Sequence, residues 1–161
     1  MSFEDRLHQA VSRGQRRNEE EKSKAEARAL TEEELKRLHS TYRLQLSERI
    51  ESCVKQLPNF FPGFRFETIF GDRGWGAACS RDDVRMSGGK RQQNDYSRLE
   101  LTVRPASSMH VLELAGKATI RNKEIFNRNY FEKLEDVDLN EFFQLIDVWV
   151  LEYAELFAAK S

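Results

Sequence analysis

The chain reads as an α+β protein: a long N-terminal helix, a five-stranded antiparallel β-meander and a C-terminal helix packed on one sheet face. Three observations give this class. Apolar residues recur at steps of three and four over residues 31–57 and again over 139–159. Between them, over residues 64–133, the period drops to two. The links between those alternating runs are short, whereas a parallel crossover takes about a dozen residues or more, so neighbouring strands must run antiparallel.

The elements follow in order. Phe3, Leu7, Ala10 and Val11 make one short apolar stripe at helical spacing. From Ser12 to Ala29 the only apolar side chains are three alanines, among strong helix formers. Residues 1–30 are therefore read as a charged helical extension or linker, and residues 31–161 as a single α+β domain. Thr31 with Glu34 has the spacing of a capping box and predicts a helix start. Leu35, Leu38, Tyr42, Leu46, Ile50, Cys53, Val54 and Leu57 then give one amphipathic face, which Pro58 and Pro62 close off.

Strands are predicted at 64–70, 75–86, 96–104, 109–121 and 125–133, with a turn at Gly71–Gly74 and another at Asn122–Glu124. Residues 87–95 are polar and patternless and read as a loop. Their Ser-Gly-Gly-Lys-Arg stretch does not make a Walker A phosphate loop, because Val84 stands at the first glycine position and Arg91 follows Lys90. Asp138 and Glu141 repeat the cap spacing before the last helix. Phe142, Ile146, Trp149, Val150, Tyr153 and Phe157 share one face of that helix, yet Val148, Leu151, Ala154 and Ala158 lie opposite. A helix apolar on both sides needs two covers: the sheet, and either the helix of 31–57 or another copy of the chain.

Composition narrows the function. The 161 residues carry 26 Lys and Arg against 27 Asp and Glu, a net charge of −1, which disfavours a globally basic nucleic-acid binder. Beyond Tyr130, the polar sheet face also offers none of the exposed aromatics that RNA-reading sheets use. The two cysteines, Cys53 and Cys79, form no disulfide framework and no zinc spacing, so buried thiols are expected. The start of the chain shows no secretory signal and no run is long enough for a membrane helix, which favours a cytoplasmic protein with no membrane partner.

Candidate chemistry is sparse. His8, His39 and His110 fall on separate elements, and no HExxH, GxSxG or Cys–His signature occurs. No catalytic residue, metal ligand or cofactor is assigned. Strand alternation puts Arg81, Arg85, Arg98, Arg104, Lys117 and Arg121 on one polar sheet face, a surface suited to an anionic partner. Trp75, His110, Trp149 and Tyr153 would line any pocket between the sheet and the C-terminal helix. Leu35, Leu38, Tyr42, Leu46, Val148, Leu151 and Ala154 are the expected self-association surface. The reading that results is a non-catalytic, self-associating interaction module, a homodimer with a protein partner of unknown identity. The alternative is a small-ligand-binding protein or enzyme with its pocket under the C-terminal helix.

Overall fold

Strong helix formers dominate the first third of the chain, and the backbone there is one unbroken helix, α1 (Phe3–Val54). The computed structural model describes the backbone of residues 2–87 and 90–160, and their side chains except at 27–30, 85–87 and 90–93. The chain divides into two compact units, residues 1–37 and 38–161.

The first unit is wholly helical from Phe3 onward, and Ser2 to Glu26 are exposed. Thr31 and Glu34 lie inside α1 and do not start a helix. The sequence before them is rich in strong helix formers and holds no proline, so the helix runs through the expected cap.

The second unit contains the rest of α1, a single turn α2 (Leu57–Phe60) and five strands. These are β1 (Arg65–Ile69), β2 (Trp75–Ser87), β3 (Lys90–Val103), β4 (Val111–Ile120) and β5 (Lys123–Lys133), followed by α3 (Leu139–Lys160). Pro58 sits in the first turn of α2, where its missing amide costs nothing. The sheet order is β1-β2-β3-β4-β5, and every neighbouring pair is antiparallel. The expected meander is therefore present, with α3 packed on one face.

Two boundaries differ from the sequence reading. The expected loop at 87–95 is largely strand: β3 begins at Lys90, and Ser87 pairs with Lys90. Gly88 and Gly89 lie outside the described residues. The reason is a clamp from far along the chain. Arg121 and Asn122 both take positive φ, 48° and 71°, and form the β4–β5 turn, so that β5 begins at Lys123, ahead of the expected start. The Asn122 side chain accepts from the Tyr96 amide (2.9 Å) and donates to the Asn94 carbonyl (3.0 Å). The second difference is His110, which has φ 54° and precedes β4 instead of lying on it. Its carbonyl accepts the Leu134 amide at 3.0 Å.

One sheet face is covered by helices. Leu99, Leu101, Leu112, Leu114 and Ala118 point into it and are fully buried. From α3, Phe142, Ile146, Trp149, Val150, Tyr153 and Phe157 meet them, the same six residues that the helical period selects. Tyr153 donates its hydroxyl to the Thr119 carbonyl at 3.0 Å, so its one polar atom is satisfied inside the core. The C-terminal part of α1 lies on the same face: Arg43 stands 4.2 Å over the Trp75 ring, and Glu51 accepts from Thr68. Asp138 caps α3 as expected, accepting the Asn140 amide at 3.0 Å.

Candidate functional site

Two surfaces of the second unit carry side chains that the core does not use. The first is the outer side of α3. Its inner stripe fills the core, so the residues a half-turn away must point out. Gln144, Val148, Leu151 and Glu155 are all exposed, at steps of four, three and four. Val148 is 54% and Leu151 66% accessible, and Ala154 is half-buried. Next to Leu151 a groove of about 440 Å³ lies between α3 and the end of α1, lined by Cys53, Leu57, Phe60, Val150 and Leu151. Phe60 stands 74% exposed on its rim.

The other end of that groove is polar. Arg49 makes a two-pronged pair with Asp147, at 3.0 and 2.6 Å. The Cys53 thiol donates to the same carboxylate at 3.3 Å. Burial, with that bond to Asp147, pushes the Cys53 thiol up to about 11. Burial pushes Cys79 up to about 12. Neither cysteine is a thiolate at neutral pH, so neither is an activated nucleophile.

Of the expected self-association residues, Leu46 is fully buried and belongs to the core. Leu35 is buried too, and Leu38 and Tyr42 are half-buried. Only Val148, Leu151 and in part Ala154 form an open strip.

The second surface is the uncovered sheet face. Register places Glu100 beside Lys117, and Thr102 beside Ala115. Small side chains form a floor here, and Thr102 is only 5% exposed. A groove of about 340 Å³ results, lined by Arg73, Glu100, Thr102, Arg104, Ala115, Gly116, Lys117, Asn127 and Asn129. Glu100 is already engaged by two guanidinium groups, Arg73 at 3.0 Å and Arg98 at 2.9 Å. Arg98 also reaches Glu67 at 2.7 Å. Asn129 donates to Glu113 at 2.6 Å.

The expected polar face is thus divided. Arg104 and Lys117 share the groove, joined by Arg73 from the β1–β2 turn, a residue that strand periodicity cannot place. Arg98 is locked between carboxylates. Arg121 lies in the β4–β5 turn. The Arg85 side chain is outside the described residues. Arg81 is a correction: it lies on the helix-covered face, 4.9 Å over the Phe157 ring and 5.4 Å over Phe64. It donates to the Pro62 carbonyl and to Asp83. The parity of β2 is set by Ala77 and Cys79, which face inward, and Arg81 follows them by steps of two.

The expected pocket residues do not converge either. Trp149 and Tyr153 are core side chains, Trp75 lies half-buried beneath Arg43, and His110 sits at a turn. Among the described residues, no three His, Cys, Asp or Glu side chains are grouped as metal ligands, and no helix is long and apolar enough to cross a membrane. Comparison with protein-family models, curated proteins and solved structures gives no match.

Proposed function

We propose that this protein is a non-catalytic interaction module that forms a homodimer through the outer side of α3. The observation that carries this reading is the mirror symmetry of the exposed stripe. Gln144, Val148, Leu151 and Glu155 are spaced symmetrically about the middle of Val148 and Leu151. An antiparallel second copy of α3, related by a two-fold axis, sets Val148 against the second copy's Leu151. The same axis sets Gln144 against Glu155, an amide donor facing a carboxylate acceptor. A two-fold interface must be self-complementary in this way. Steps of four and three are also the spacing at which side chains of two helices interlock. Phe60 and the groove beside Leu151 extend the apolar area beyond the helix.

The alternative, a pocket between sheet and C-terminal helix, has less support. Trp149 and Tyr153 occupy that layer, with Trp149 pressed against the backbone at Gly116. Light scattering on the full chain tests the dimer. The expected result is twice the chain mass, reduced to one chain mass by Leu151→Asp with the helical circular dichroism unchanged. A wild-type chain that stays monomeric at high micromolar concentration would overturn the proposal.

A further inference from the structure

The groove on the open sheet face has the composition of a site for a small oxyanion. Its floor is built from the short side chains of Thr102 and Ala115 and the backbone at Gly116, which leaves a basin about 340 Å³ in volume. That is within the range of small-ligand sites, roughly 300–1,000 Å³. Antiparallel sheets commonly leave one face to solvent, and charged side chains there usually pair across strands. This face obeys that rule at one end. The single carboxylate of the basin, Glu100, is saturated by Arg73 and Arg98. Elsewhere in the basin the rule stops: among the described residues Lys117, beside Glu100 in the register, and Arg104, on the far side of Thr102, make no ion pair with a carboxylate, and both line the basin. The nearest acidic group along β4, Glu113, accepts instead from Asn129.

We infer that this basin binds a small phosphate- or carboxylate-bearing molecule with a hydroxylated body, held by Arg104 and Lys117 over the hydroxyl of Thr102. Two cations supply the charge-assisted bonds an oxyanion needs. Thr102 and Asn127 offer neutral donors and acceptors for the hydroxyl groups. Arg73 stays on Glu100 and closes one end of the basin. Arg104 is held in place from behind, because its carbonyl accepts a hydrogen bond from the buried His39 ring at 3.2 Å. The site lies on the opposite side of the sheet from α3 and does not depend on the dimer.

Calorimetric titration of the full chain at low ionic strength tests this, with inorganic phosphate, glycerol 3-phosphate and citrate as separate probes. Saturable binding is expected for at least one. Arg104→Gln and Lys117→Gln should each weaken it about tenfold, the loss of one charge-assisted bond. Arg121→Gln should leave it unchanged. A phosphate response without citrate assigns a phosphate group, and the reverse assigns a carboxylate. Thr102→Val should weaken glycerol 3-phosphate more than inorganic phosphate. No saturable binding by any probe would overturn the inference. So would equal weakening by Arg121→Gln, because that reports net charge and not a site.

Discussion

The indole of Trp149 occupies the place where a side chain on residue 116 would begin: a Cβ added to Gly116 would stand 2.7 Å from its Cε3 atom. Glycine is what lets α3 approach β4 so closely. Gly116→Val should destabilise the fold by about 1–3 kcal/mol, the usual cost of overpacking a filled core. Urea denaturation read by tryptophan emission measures it. Gly71→Val is not an adequate control, since φ there is 116° and strained for any side chain. Gly14→Ala, in open space on the first unit's helix, is adequate.

Asn122 acts at a distance. Asn122→Gly keeps the positive φ of the turn and deletes the clamp on Asn94 and Tyr96. The expected loss is about 1–3 kcal/mol from the bonds removed. Hydrogen exchange should quicken at Tyr96 before it does at Leu101.

Both cysteines should be slow to alkylate at neutral pH, since burial raises Cys53 to about 11 and Cys79 to about 12. Thiolate, the reacting form, is scarce at these values. Intact-mass analysis after iodoacetamide treatment should show unmodified native protein and two additions in urea. Cys53, only half-buried, should be the first to react as pH rises.

His39 should make the fold acid-sensitive. Burial lowers its pKa below 6.5, outweighing the bond to the Arg104 carbonyl that raises it. A carbonyl only accepts, so Nε2 carries the hydrogen, and burial favours the neutral ring in the fold. The unfolded chain then binds more protons, so this contribution is present above pH 6.5 and is lost as pH falls through the folded-state value. His39→Gln should flatten that part of the pH–stability curve relative to wild type, measured by urea midpoints.

The dimer geometry makes a sharper prediction than exposure alone. Gln144→Glu should set two carboxylates face to face against Glu155 and weaken association. Gln144→Lys should strengthen it. Both changes lie at an exposed position and should leave monomer stability within about 0.5 kcal/mol. Sedimentation equilibrium at two salt concentrations measures both, and the difference should shrink in high salt.

The architecture was legible because α3 and the strands β3 and β4 carry clean periods. The inner stripe of α3 is identical in sequence and structure, and Leu99, Leu101 and Val103 alternate as written. The polar face was only half legible. In β2 the run Gly76-Ala77-Ala78-Cys79 is buried on both sides, so small residues give no direction to the alternation. Alternation alone therefore puts Arg81 on the wrong face. Arg73 could not be foreseen, because a turn residue has no period, and β3 is held near its start by Asn122, 26 and 28 positions after the residues it clamps. The cap at Thr31 failed for a local reason: helix propensity on its N-terminal side outweighs a stop that only the cap residues request.

The strand order of the sheet has a consequence for how the molecule is made. Each strand pairs only with the next one along the chain, so each hairpin can close as soon as its second arm has been synthesised. The greasy side of the finished sheet then waits for α3, which comes after all five strands. Until α3 arrives, only the C-terminal part of α1 is available to cover that face, and apolar sheet surface left open in a growing chain is prone to premature association.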